Sequence, residues 1–100
     1  MRKIISVDEI ECFYSENKGT YLHTFDNRDY LLETTLEVLE QELDPAAFYR
    51  ISRKFIIPVK AIKSTVVYSN SRLKITLPTY KVADGLVSSE EVAAFKNWIG

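Results

Sequence analysis

Eight cationic side chains fall between positions 49 and 81, at Arg50, Arg53, Lys54, Lys60, Lys63, Arg72, Lys74 and Lys81, with no Asp or Glu among them. Cations without interspersed carboxylates keep their positive potential, whereas mixed charges cancel within roughly one Debye length, about 8 to 10 Å. Residues 1–48 hold four basic and eleven acidic side chains, and residues 82–100 hold one and three. The three stretches therefore sum to −7, +8 and −2, and the overall charge of −1 conceals the separation. The chemistry this favours is capture of a polyanion. On charge alone the same cations could equally solvate a strand edge, where they oppose edge-to-edge aggregation.

Catalytic chemistry finds little support. His23 is the only histidine and Cys12 the only cysteine, so a histidine-activated nucleophile would require the fold to bring Cys12 or a serine to His23; an ordinary strand histidine is the preferred reading. One Cys and one His leave a zinc ion dependent on carboxylates, and no metal-ligand spacing occurs. No glycine-rich phosphate loop is present. The expectation is a binding protein without catalytic residues, metal or cofactor. The acidic residues Asp8, Glu9 and Glu11, and Glu37, Glu40, Glu42 and Asp44, read as solvated faces. Cys12 cannot form an internal disulfide, which fits a reducing compartment or a small apolar residue packed in a strand. No run approaches the ~18 apolar residues of a membrane span, and Met1, Arg2 and Lys3 are not followed by a signal-peptide core. A cytoplasmic location without membrane contact is expected.

One hundred residues, 46% hydrophobic and 27% charged, suit a single domain with one core. Ile10, Cys12 and Tyr14 alternate, and residues 20–25 and 29–32 are rich in strand formers, with turns at 16–19 and 26–28. Leu36, Leu39 and Leu43 have helical spacing, Thr34 and Glu37 have capping-box spacing, and Asp44-Pro45 stops the run. Residues 48–57 read as one strand closed by Pro58. Residues 64–68 and 72–77 form a hairpin in which Leu73, Ile75 and Leu77 alternate with Arg72, Lys74 and Thr76. A last helix is expected from Ser88 and Glu91 at capping-box spacing and from Val92, Phe95 and Ile99, with Trp98 and Phe95 anchoring it. The sum is a mainly β domain with two short helices.

Within the basic stretch, the run Phe48-Tyr49-Arg50-Ile51-Ser52-Arg53-Lys54-Phe55-Ile56-Ile57-Pro58-Val59-Lys60-Ala61-Ile62 combines an aromatic-aromatic-Arg start, a polar-basic cluster and an aliphatic run ending in Ala-Ile. It resembles the signature of the LytTR DNA-binding domain of bacterial response regulators. The preceding Leu36-Glu37-Val38-Leu39-Glu40-Gln41-Glu42-Leu43-Asp44-Pro45 is similar to that family's helix, which also runs into Asp-Pro. Tyr14-Ser15-Glu16-Asn17-Lys18-Gly19-Thr20-Tyr21-Leu22 resembles its first recognition loop and following strand. Val87-Ser88, with Val92-Ala93-Ala94-Phe95-Lys96-Asn97-Trp98, resembles its C-terminal segment.

The resemblance implies an elongated arrangement of antiparallel β-sheets whose loops enter successive major grooves of bent duplex DNA. It assigns the first loop to Asn17, Lys18, Gly19 and Thr20, the second to Ser52, Arg53 and Lys54 with Arg50 nearby, and the third to Ser88 and Ser89. Many members carry Arg or Lys where this chain has Ser89, and many carry His where it has Ser52. The side chains suit the assignment. Arg53 has the planar fork that can bind guanine O6 and N7, worth about 1 to 3 kcal/mol of base discrimination, while Lys18 and Lys54 suit phosphate oxygens. The expected function is sequence-specific double-stranded DNA binding that regulates transcription. The expected setting is the output domain of a two-component response regulator, excised from its N-terminal receiver domain, with two modules pairing on direct-repeat sites. A protein-interaction module and an RNA binder are the alternatives that the basic surface leaves open.

Overall fold

A computed structural model describes residues 5–62, 64–68, 72–80, 86–87 and 92–99. Its strands and helices are β1 (Ile10–Glu16), β2 (Gly19–Thr24), β3 (Asp29–Leu32), α1 (Leu36–Glu42), β4 (Phe48–Ser52), β5 (Phe55–Pro58), β6 (Ser64–Tyr68), β7 (Arg72–Thr76), β8 (Leu86–Val87) and α2 (Val92–Ile99). A five-stranded sheet has the order β3-β2-β1-β5-β4, and a three-stranded sheet the order β6-β7-β8. All observed pairings are antiparallel. The molecule measures 46 × 27 × 25 Å, so the mainly β, elongated architecture expected from the sequence is the one found.

The large sheet is covered on both faces, and this explains why β1 reads as an almost continuous buried run. On one face Leu36 and Leu39 of α1, with Leu43 just after it, pack over Ile10, Phe13, Leu22, Phe48 and Ile56. On the other, Cys12, Tyr14, Ile51, Phe55 and Ile57 meet Ile75 and Val87 of the small sheet and Val92 and Phe95 of α2. The alternation of Ile10, Cys12 and Tyr14 is thus not one face. A register shift between Ile10 and Cys12 sends Ile10 to the α1 side and the other two to the α2 side.

Three local readings change. Thr35, not Thr34, caps α1, its hydroxyl accepting from the Val38 amide at 3.2 Å, and Glu37 is turned to another use described below. Residues 48–57 are two strands joined by a tight turn at Arg53 and Lys54, because Ser52 pairs directly with Phe55. Ile99, despite its spacing, is exposed; Phe95 is fully buried, and Trp98 Nε1 donates to the Pro45 carbonyl at 2.8 Å while its ring lies 5.1 Å from Tyr49. The Ser88 and Glu91 pair, and residues 69–71 that link the two strands of the expected hairpin, lie outside the described residues.

Glu11 is the largest departure. It is completely buried at the β1 irregularity, where its carboxylate accepts from the amides of Thr79 and Tyr80 and from the Thr79 hydroxyl at 2.8 Å. Thr79 Oγ1 also lies 2.8 Å from His23 Nε2, and His23 Nδ1 lies 2.8 Å from Asp29 Oδ1, which accepts from the Tyr14 hydroxyl at 2.7 Å. These contacts fasten the segment after β7 to the large sheet. The buried Glu11 carboxylate and His23 ring thus have partners, as burial requires.

Burial pushes the Asp29 carboxyl up, but the hydrogen bonds from Tyr14 and His23 outweigh it and hold the group below the usual carboxylate range. A depressed carboxyl contributes stability above its unfolded value, about 3.9, that is lost as pH falls through the lower folded value. Replacing Asp29 by Asn is expected to flatten this acid limb, which urea melts between about pH 5 and pH 2 measure directly.

Candidate nucleic-acid interface

Two tight turns meet at one end of the large sheet. β1 and β2 are joined by Asn17 and Lys18, since Glu16 pairs with Gly19. Both turn residues have positive φ, 48° and 66°. That is the condition for a type I′ hairpin, whose twist matches that of its strands. Asn tolerates this conformation well; Lys does so at a cost. Gly19 leaves room for the Tyr21 ring, which lies 2.9 Å from where a Cβ would stand. Tyr21 in turn stacks on Tyr14 at 5.1 Å.

The second turn, Arg53 and Lys54, sits beside the first because β5 pairs with β1. The Ser15 amide donates to the Lys54 carbonyl at 3.0 Å, and Lys54 N–H donates to Ser52 Oγ at 3.2 Å. Between the turns lies a recess of about 280 Å³ lined by Ser15, Glu16, Asn17, Lys18, Lys54, Phe55 and Tyr80. Asn17, Lys18, Arg53 and Lys54 are all exposed. Glu16 is the single acidic side chain among the described residues on the rim of this recess.

Of the remaining expected contact residues, those the structure describes are placed differently. Thr20 is 6% exposed within β2, so its side chain faces the interior rather than the tip. Arg50 is held by Glu37 at 2.9 Å and Glu40 at 3.2 Å. Ser52 is half-buried and spends its hydroxyl on the turn. Ser88 and Ser89 lie outside the described residues. The basic stretch is correspondingly subdivided. Lys60 pairs with Asp8 at 2.9 Å, whereas Arg53, Lys54 and Lys74 form no ion pair among the described residues.

The candidates for other chemistry resolve into structure. Thr79, His23 and Asp29 have the order of a nucleophile relay, but the Thr79 hydroxyl donates to Glu11 and His23 is 2% exposed. Cys12 is fully buried, and burial pushes its thiol far above the ordinary range. Among the described residues no cluster of three His, Cys, Asp or Glu could hold a metal, and no helix is long and apolar enough to cross a membrane.

The family model of the LytTr DNA-binding domain matches residues 2–100. The chain belongs to the LytTR DNA-binding domain family. DNA binding in transcription regulation is the function that goes with this family. Among solved structures, the chain is similar to the LytTr DNA-binding domain of a response regulator from Bacillus cereus, with a TM-score of 0.80 and 22% identity over 92% of this chain and 82% of that one. At that identity the likeness concerns the fold. A search of the curated proteins found no match.

In this LytTR domain the sequence signal for the first two loops leads to adjacent turns. Their proximity depends on the β1–β5 pairing, which no local motif encodes. The Arg50 contacts to α1 were likewise missed, although Glu37 and Glu40, three apart on one helical face, were a signal that a cation could bridge them. At the first turn, the I′ geometry separates folding from binding. Lys18→Gly is expected to raise hairpin stability by about 1 kcal/mol by relieving the left-handed conformation, while weakening DNA binding through loss of the cation. Thermal melts and duplex titrations of the same variant check both signs.

Proposed function

We propose that this LytTR domain binds double-stranded DNA sequence-specifically, inserting its two adjacent turns into the major groove. The observation that carries the reading is the convergence of exposed Asn17, Lys18, Arg53 and Lys54 at one end of the large sheet. Lys18, Arg53 and Lys54 form no ion pair among the described residues, so their donors are available to phosphates and base edges. The aromatic rings argue against stacking on single strands. Tyr14 and Tyr21 stack on each other, Tyr49 packs on Phe95 and Trp98, and Phe55 is buried.

With the two turns side by side, they share one stretch of groove, leaving Ser88 and Ser89 as candidates for a separate contact. The 46 Å long axis exceeds one turn of duplex, about 34 Å, so this body can reach from one groove to the next. By analogy with the response-regulator domain it resembles, the chain would serve as the output domain behind a phosphorylatable receiver domain. Two such modules would then pair on direct repeats.

Titration against duplex DNA, single strands and RNA tests the class of ligand. Duplex preference is expected, with a salt slope on the order of −4 if about five phosphates are neutralised. A flat salt response, or preference for RNA, would refute it. Including duplexes with one and two copies of a selected site tests pairing, which requires cooperative filling of the second copy.

The two turn cations should divide the work. Arg53→Ala is expected to relax preference at one base position by about 1 to 3 kcal/mol, whereas Lys54→Ala weakens all sequences alike and lowers the salt slope by about 1. A panel of single-base changes in a selected duplex measures both, and identical profiles for the two variants would remove the distinction.

A further inference from the structure

Arg50 lies in β4 just before the second turn, and its side chain is only 16% exposed. Its guanidinium makes four hydrogen bonds in two directions. Toward the turn, Nε donates to the Ser52 carbonyl at 3.1 Å and Nη2 to the Arg53 carbonyl at 2.9 Å. Toward α1, Nη2 donates to Glu37 Oε2 at 2.9 Å and Nη1 to Glu40 Oε1 at 3.2 Å. Burial disfavours the guanidinium charge, but the two carboxylates outweigh it and secure it. The same contact, chiefly the hydrogen bond from Arg50, holds the Glu37 carboxyl below its usual range.

The second turn requires outside support in a way the first does not. Arg53 and Lys54 do not have positive φ, so this two-residue connection lacks the primed geometry that fits strand twist, and the β4–β5 register shifts between Arg50 and Ser52. Two carbonyl oxygens at the turn would also present their negative ends to an incoming phosphate. Arg50 occupies both. Only a planar fork with several donors can span two carbonyls and two carboxylates at once; a lysine ammonium cannot.

We propose that Arg50, oriented by Glu37 and Glu40, is the positioning residue that sets the shape of the DNA-reading turn, so that α1 belongs to the binding machinery from behind. The inference rests on the reading of this turn as a DNA contact, and it reverses the sign expected for two carboxylates near a polyanion. If Glu37 and Glu40 acted on DNA only through charge, removing them would strengthen binding to every duplex.

The test uses the 100-residue chain and the double variant Glu37→Ala with Glu40→Ala, whose carboxylates are exposed enough for the fold to survive their loss. In the free protein, the backbone amide order parameters of Arg53 and Lys54 are expected to fall from about 0.85 toward 0.6. Affinity for a duplex selected from a randomised library should drop about tenfold, the equivalent of one charge-assisted hydrogen bond, while affinity for a scrambled duplex holds or rises. Arg50→Lys, which keeps the charge but loses the fork, should lower selected-duplex affinity without changing the salt slope, whereas a phosphate-contacting arginine would tolerate lysine. Equal gains on both duplexes, or full affinity in Arg50→Lys, would overturn the proposal. Unchanged order parameters would overturn it whatever the chain binds. Absence of any duplex preference in the parent chain would instead refute the functional reading, and the order parameters would then decide the Arg50 clamp alone.

Discussion

The position of β1 at the centre of a sheet buried on both faces is the constraint on which the rest of the molecule depends. A strand covered by α1 on one side and by α2 and the small sheet on the other has no freedom to slip, because a one-residue shift would exchange its two sets of side chains. Its partners inherit that rigidity. β2 and β5 both pair with β1, so the turns that begin or end these strands are fixed in relation to each other by one shared ladder. Two adjacent tips on a single ladder form a more exact surface than two loops on separate elements would.

The register shift at Glu11 supplies the second fastening. By leaving a carboxylate inside, it creates acceptors that Thr79 and Tyr80 fill, and so joins the chain after β7 to the large sheet through polar groups as well as through apolar contact. Apolar packing would permit many nearly equivalent seatings of the small sheet. A buried carboxylate satisfied by specific amides and a hydroxyl permits far fewer, since each lost partner leaves an unsatisfied polar group. His23 extends the same logic across β2 to Asp29 in the edge strand β3.

What was legible in the sequence follows from the range of each signal. Strand alternation, helical leucine spacing and the Asp44-Pro45 stop are local, and the elements they announce are present. The aromatic-Arg run was legible as a family motif, which carried both fold class and the two turn regions. From strand pattern alone its division into two strands was not legible, because residues 48–57 contain no Gly, Pro or Asn to mark a turn. Glu11 looked like its exposed neighbours Asp8 and Glu9, since burial of a carboxylate is decided by partners 68 residues away. Arg50 was grouped with Arg53 by adjacency, but a strand sends near neighbours to different surroundings, and its carboxylate partners lie on α1. Thr20 was assigned to the first loop by the family resemblance, yet it lies within β2 and is buried there.

The two turns also differ in what they allow to vary. The first is written into the backbone: both of its residues occupy a conformation that few side chains accept, so its chemistry is confined to a short list such as Asn, Asp and Gly, with Lys18 as the strained exception. The second is held by a residue outside itself, and its own side chains carry none of the load. Over evolutionary time, such a tip can exchange Arg53 or Lys54 for other residues without dismantling the hairpin. Under the proposed DNA contact, the second turn is the one whose side chains can change without cost to the fold, and the first is the one whose backbone limits them.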